Sequence, residues 1–139
     1  MITNADALTQ VQSEWAGVRR MRDRMKLLLM ATFAGGAFTA PALSTVVYNL
    51  PLLLAFDVLN QVLMQLRDEG QFSCSRNQLG PLVDASKIPL PWLDWQAVRD
   101  GVRRRNEVAH DGVLLDSTVC LSEISRIEQQ LVAWRIIAA

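Results

Sequence analysis

From Leu27 to Phe56 the chain runs for thirty residues without a charged side chain, and this segment limits what the rest can fold into. A run that long must leave water. It can enter a bilayer, where a spanning helix needs about 20 apolar residues, or it can enter the middle of a helical core. Arg24 and Lys26 precede it, as a cytoplasmic flank would. Against a span, Gly35-Gly36, Thr39, Pro41, Ser44-Thr45 and Asn49-Pro51 divide the run. These breakers predict a loop from about Ala34 to Ser44 joining two helices, each buried against partners. We therefore expect no membrane partner.

The flanking segments carry a helical period. Leu8, Val11, Trp15, Val18, Met25 and Leu29 predict a helix from about Thr3 to Met30, its apolar stripe interrupted by Arg22. Its basic run (Arg19, Arg20, Arg22, Arg24, Lys26) reads either as a solvated face or as an RNA contact, the solvated face being favoured. A second helix is expected from about Ser44 to Glu69, kinked near Pro51. Leu52, Leu53, Leu54, Phe56, Leu59, Val62, Leu63 and Leu66 make it apolar around much of its circumference, which suits the centre of a bundle or a subunit interface. Asp57 stands in this apolar setting and either pairs with an arginine, Arg105 among them, or faces water. Gly70 ends the helix, and Gln71 to Leu93 reads as a long connection in which Trp92 and Trp95 serve as packing anchors. The last helix begins near Asp116 or Ser117, either of which could cap it, with Cys120, Ile124, Ile127, Leu131 and Trp134 as its core stripe.

A chain of 139 residues fits one domain, so residues 1–139 are taken as a single unit. The formal net charge is zero, which removes any global pull toward nucleic acid and leaves local arginine clusters to do that work. Cys74 and Cys120 are isolated, without metal-ligand spacing. No metal and no cofactor are expected, and reduced thiols suit a cytoplasmic setting. The N-terminus is too polar and acidic for a secretion signal.

The densest chemistry lies in Arg103-Arg104-Arg105-Asn106-Glu107-Val108-Ala109-His110-Asp111-Gly112, which holds the one histidine. Asp94 to His110 is predicted as one helix, with Pro91 upstream and Gly112 just past its end. At about 100° per residue, Val98, Val102, Arg105 and Ala109 share a stripe, flanked by Trp95 and Val108. Arg99, Arg103, Asn106 and His110 share its neighbour. Arg105 is the misfit, since an unpaired guanidinium on a buried stripe is costly. It must reach a phosphate, a carboxylate or a second subunit. Arg105 and His110 point roughly 140° apart on an ideal helix. Two copies related by a twofold axis would bring two arginines and two histidines around one cleft, so the geometry favours a homodimer.

Arg105-Asn106-(three residues)-His110, late in a short all-helical chain, resembles the R-x4-6-H motif of the HEPN superfamily. The similarity extends over Leu79-Gly80-Pro81-Leu82, Leu90-Pro91-Trp92-Leu93-Asp94, the motif helix and a closing helix ending near Trp134, about the last two thirds of the chain. The resemblance implies an all-α, up-down bundle of four to five helices that pairs as a twofold dimer. It also implies a metal-independent endoribonuclease of the kind found in toxin, phage-defence or RNA-processing systems. Arg105 and His110 would then be the catalytic pair and Asn106 their support. A cognate antitoxin or regulatory protein is a possible partner besides RNA. One feature departs from the family: toxins controlled by a nucleotidyltransferase often carry a tyrosine two residues after the histidine. That place is Gly112 here, and the one tyrosine is Tyr48.

The residue types suit metal-free RNA cleavage. Histidine titrates near neutrality and can move protons. Arginine offers a permanent charge and a fixed fork of donors to a phosphorane. Arg99 and Arg103 could guide the RNA backbone. The competing reading is a non-catalytic HEPN-like module that binds a nucleotide or a partner protein.

Overall fold

A computed structural model describes residues 1–34 and 47–139. Among these the chain forms five α-helices and no strand. They are α1 (Ala5–Ala34), α2 (Asn49–Asp68), α3 (Leu79–Ala85), α4 (Trp95–Asp111) and α5 (Ser117–Ala133). The expected loop beyond Ala34, the expected helix start at Ser44 and the side chain of Leu29 lie outside the described residues.

α2 is the hub, packing against each of the other four helices. By length and composition it could cross a membrane, but Leu52, Leu59, Val62, Leu63 and Leu66 are fully buried against its neighbours. A helix apolar around most of its circumference needs cover on every side, and here helices supply it. Its start differs from expectation. The helix begins at Asn49, so Pro51 falls in the first turn. There proline's missing N–H would have had no intrahelical acceptor, so Pro51 opens the helix instead of kinking it.

α1 and α2 run antiparallel, since both Glu69 oxygens accept from the Thr3 N–H at 3.0 Å and Oε1 accepts from Asn4 N at 2.9 Å. The α1 stripe is seated as its spacing predicts, with Val11, Trp15 and Val18 buried. Arg22 interrupts it for a reason: Arg19 and Arg22 both reach Glu128 on α5, at 3.1 and 3.4 Å. The buried Trp15 donates its indole N–H to the same carboxylate at 2.9 Å.

α3 was expected to be part of a loop. Gly80 and Pro81 disguise it, but Leu79, Leu82 and Val83 are buried at i, i+3, i+4 spacing. The expected tryptophan anchors are present. Trp92 donates to Ser86 O at 3.0 Å and meets Trp134 edge-to-face at 4.7 Å. Trp95 donates to Val83 O at 2.9 Å.

The α4–α5 seam depends on a glycine. Gly101 stands mid-helix, where glycine costs about 1 kcal/mol relative to alanine. A Cβ there would collide with the Glu123 carboxylate and come within 3.0 Å of Phe56 Cζ. Glu123, buried on α5, binds Arg104 at 2.7 Å and Arg126 at 2.9 Å. The absent side chain thus admits a paired carboxylate to the helix interface.

Gly101→Ala is expected to lower the unfolding free energy by about 1–3 kcal/mol despite alanine's better helix propensity, because overpacking outweighs it. Urea denaturation of the two proteins measures this directly. A second expectation concerns acid. Slight burial works to raise the Glu69 carboxyl, but hydrogen bonds from Thr3, Asn4 and Gln65 outweigh it and bring it from its ordinary 4.5 to about 2. Burial also works to raise Glu128, and there the bonds from Arg19 and Trp15 with the Arg19 and Arg22 charges prevail, holding it below the usual range. A depressed carboxyl contributes its full stability above its unfolded value and loses it as pH falls toward the folded one. The urea midpoint should therefore drop between about pH 5 and about pH 2.5, and Glu69→Gln should flatten that slope. An unaltered slope in the variant would refute the assignment to Glu69.

Candidate functional site

α4 starts where its sequence says it should. Asp94 caps it by accepting from Ala97 N at 3.0 Å. Gly112 closes it in the left-handed conformation at φ 67°, which places Val113 N 3.3 Å from Glu107 O. α5 is capped likewise by Asp116, which accepts from Val119 N at 3.0 Å. The motif residues therefore sit on a regular helix fixed at both ends.

That regularity sends the three consecutive arginines to three destinations, about 100° apart. Arg103 is exposed and has no partner among the described residues. Arg104 turns to α5 and Glu123. Arg105 turns to α2, where its Nη2 meets Asp57 Oδ1 at 3.1 Å, and its Nη1 meets Asn106 Oδ1 at 3.2 Å. Arg105 retains 22 % side-chain exposure and Asp57 53 %, so the pair lies at the surface within reach of a ligand. The Arg105 Nε is buried with no hydrogen-bond acceptor. Of the alternatives left open for Arg105, a carboxylate is the one realised within the chain. Asp57 pairs; it does not merely face water.

His110 is exposed in the last turn of α4, without a hydrogen-bonded partner among the described residues. The structure thus joins Arg105 with Asn106 and Asp57 and does not join His110 to them. Ala109, expected on the inner stripe, is exposed, since the stripe leaves the core after Val108. Arg99 is tied to Asp84 of α3 at 2.8 Å, with about a third of its side chain still exposed. On α1, Arg20, Arg24 and Lys26 stay exposed while Arg19 and Arg22 are engaged by Glu128.

Among the described residues no cluster of three or more His, Cys, Asp or Glu side chains could hold a metal ion. Burial, and then the Asp116 charge, push the Cys120 thiol up to about 11, leaving it protonated and inert at neutral pH.

Sequence reading missed the Gly101–Glu123–Arg104 contact. Its signal was present: Glu123 occupies the stripe of Cys120 and Ile127, and a glycine between Val98 and Val102 implies close approach at that point. Arg104 is thereby a structural arginine. Arg104→Ala should cost about 1–3 kcal/mol in urea denaturation, as one partner of a charge-assisted hydrogen bond to a buried acid is lost, with Arg126 still holding the other oxygen. Comparison of the chain with protein-family models, with curated proteins and with solved structures returns no match.

Proposed function

We propose that the chain is a HEPN-like, metal-independent endoribonuclease acting as a cytoplasmic homodimer, in a toxin or phage-defence role. The observation that carries the reading is the presentation of the motif. Arg105 is held at the surface by Asp57 and Asn106, at 3.1 and 3.2 Å, while His110 stays exposed on the same helix. The all-helical fold and the capped motif helix agree with it.

In the proposed reaction an imidazole takes the proton of a ribose 2′-hydroxyl, and that oxygen attacks the adjacent phosphorus. The Arg105 guanidinium balances the charge of the phosphorane. A second imidazole, in its charged form, protonates the departing 5′-oxygen. The products are a 2′,3′-cyclic phosphate and a 5′-hydroxyl. Two histidines in two protonation states are needed, and each chain has one. A twofold dimer supplies both. Arg103, exposed on the face of α4 shared with His110, and Arg99 would steer the RNA backbone.

A second reading, a non-catalytic module binding a nucleotide or a partner protein, is favoured by one observation: Asp57 already neutralises Arg105. Purified wild type incubated with mixed RNA in EDTA separates the two. The nuclease reading expects cleavage, with Arg105→Ala and His110→Ala each lowering the rate by about 100-fold or more. Sedimentation should show dimers, and melting of His110→Ala should match wild type. Cleavage that survives in both variants ends the proposal, and binding without cleavage by wild type favours the module.

A further inference from the structure

An arginine side chain has several rotatable bonds, and a guanidinium left to itself at a surface samples many directions. Arg105 is held from two elements instead. Asn106, its neighbour on α4, takes one Nη1 proton, and Asp57, from α2, takes one Nη2 proton. The α2 anchor is rigid, because Phe56 and Val58 on either side of Asp57 are buried in the core. Each terminal nitrogen carries two protons and spends one here, so two remain for an incoming ligand. The carboxylate is half exposed, which keeps its attraction for Arg105 weak enough for a phosphate to share the guanidinium.

We infer that Asp57 is a positioning residue for Arg105 in the cleavage reaction proposed above, an inference that rests on that reading. It fixes where the guanidinium points without touching RNA. Misplacing a catalytic group by about 1 Å can cost on the order of 100-fold in rate, so the anchor's effect belongs in kcat. Asparagine at the same place keeps an oxygen acceptor at the same reach, whereas alanine removes it.

The test uses the full chain with two substitutions and two readouts. In single-turnover cleavage of RNA, Asp57→Ala should lower the chemical rate by about 10- to 100-fold with KM within about threefold of wild type. Asp57→Asn should restore the rate to within about threefold. In arginine side-chain NMR, the Arg105 Nε–H signal is identified by its loss in Arg105→Lys. It should keep its position in Asp57→Asn and collapse toward that of a free arginine in Asp57→Ala. Thermal melting of all variants checks that they fold. An Asp57→Ala protein that cleaves at the wild-type rate or faster, in a background where Arg105→Ala is inactive, overturns the inference and leaves the nuclease reading standing. So does an Arg105 signal that Asp57→Ala fails to move. Wild type that cleaves no RNA sinks the nuclease reading itself, and the kinetic role of Asp57 with it.

Discussion

The structure depends on the covering of α2. Its apolar side chains extend around nearly the whole helix, so no single partner can shield it, and α1, α3, α4 and α5 each take a sector. This constraint also decides where polar contacts can form. The polar groups of α2 are few, and three at or near its start, middle and end are met by the helix or loop that lies over them. Asn49 is buried at the start of α2 and exchanges two hydrogen bonds with the backbone of Leu115, at 2.9 and 3.1 Å, which fixes the loop between α4 and α5. Asp57 meets Arg105 two turns further on. Glu69, at the far end, holds the start of α1. Three polar side chains along one helix thereby register three other segments.

The second constraint is the helical period of α4. A run of three arginines on a flexible segment would be a diffuse positive patch. On a helix capped at Asp94 and closed at Gly112, the same run is divided among solvent, α5 and α2. Arg104 goes to a buried carboxylate that the missing side chain of Gly101 admits. Arg105 goes to a half-exposed one. Arg104 keeps more side-chain exposure than Arg105, 40 % against 22 %, so what separates them is the acid each holds: one buried and shared with Arg126, the other half-exposed. The difference between a structural arginine and a functional candidate is thus one residue of sequence, or about 100° of rotation.

Much of this could be read from the chain without coordinates. The stripe of Val11, Trp15 and Val18, the apolar circumference of α2, and the caps at Asp94, Asp116 and Gly112 all follow from local rules and appear where those rules place them. The misreadings share a physical cause. α3 was hidden because a seven-residue helix has too few turns to show a period, and Gly80-Pro81 reads as a breaker when taken alone. Pro51 read as a kink because the start of α2 was placed too early, and proline's effect changes sign between a helix interior and its first turn. The choice made by Asp57 was open because no local rule ranks a carboxylate's partners. It was settled by the docking of α2 on α4, a tertiary event that the sequence pattern does not encode residue by residue.

The same separation of local from tertiary information bears on the proposed catalytic pair. Along α4 the helix fixes Arg105 and His110 roughly 140° apart, and no rotamer of a short imidazole spans that angle. Arg105 turns to α2 and His110 to solvent, which is the arrangement a regular helix dictates. On the nuclease reading proposed above, a phosphate touched by both groups is met most directly by the arginine of one chain and the histidine of a second. Under that proposal, a second copy whose α4 crossed the first would bring its own histidine toward the guanidinium that Asp57 holds in this chain. The half-exposed Asp57–Arg105 pair would suit that arrangement, since it holds the charge in place and would oppose neither a partner nor a substrate strongly.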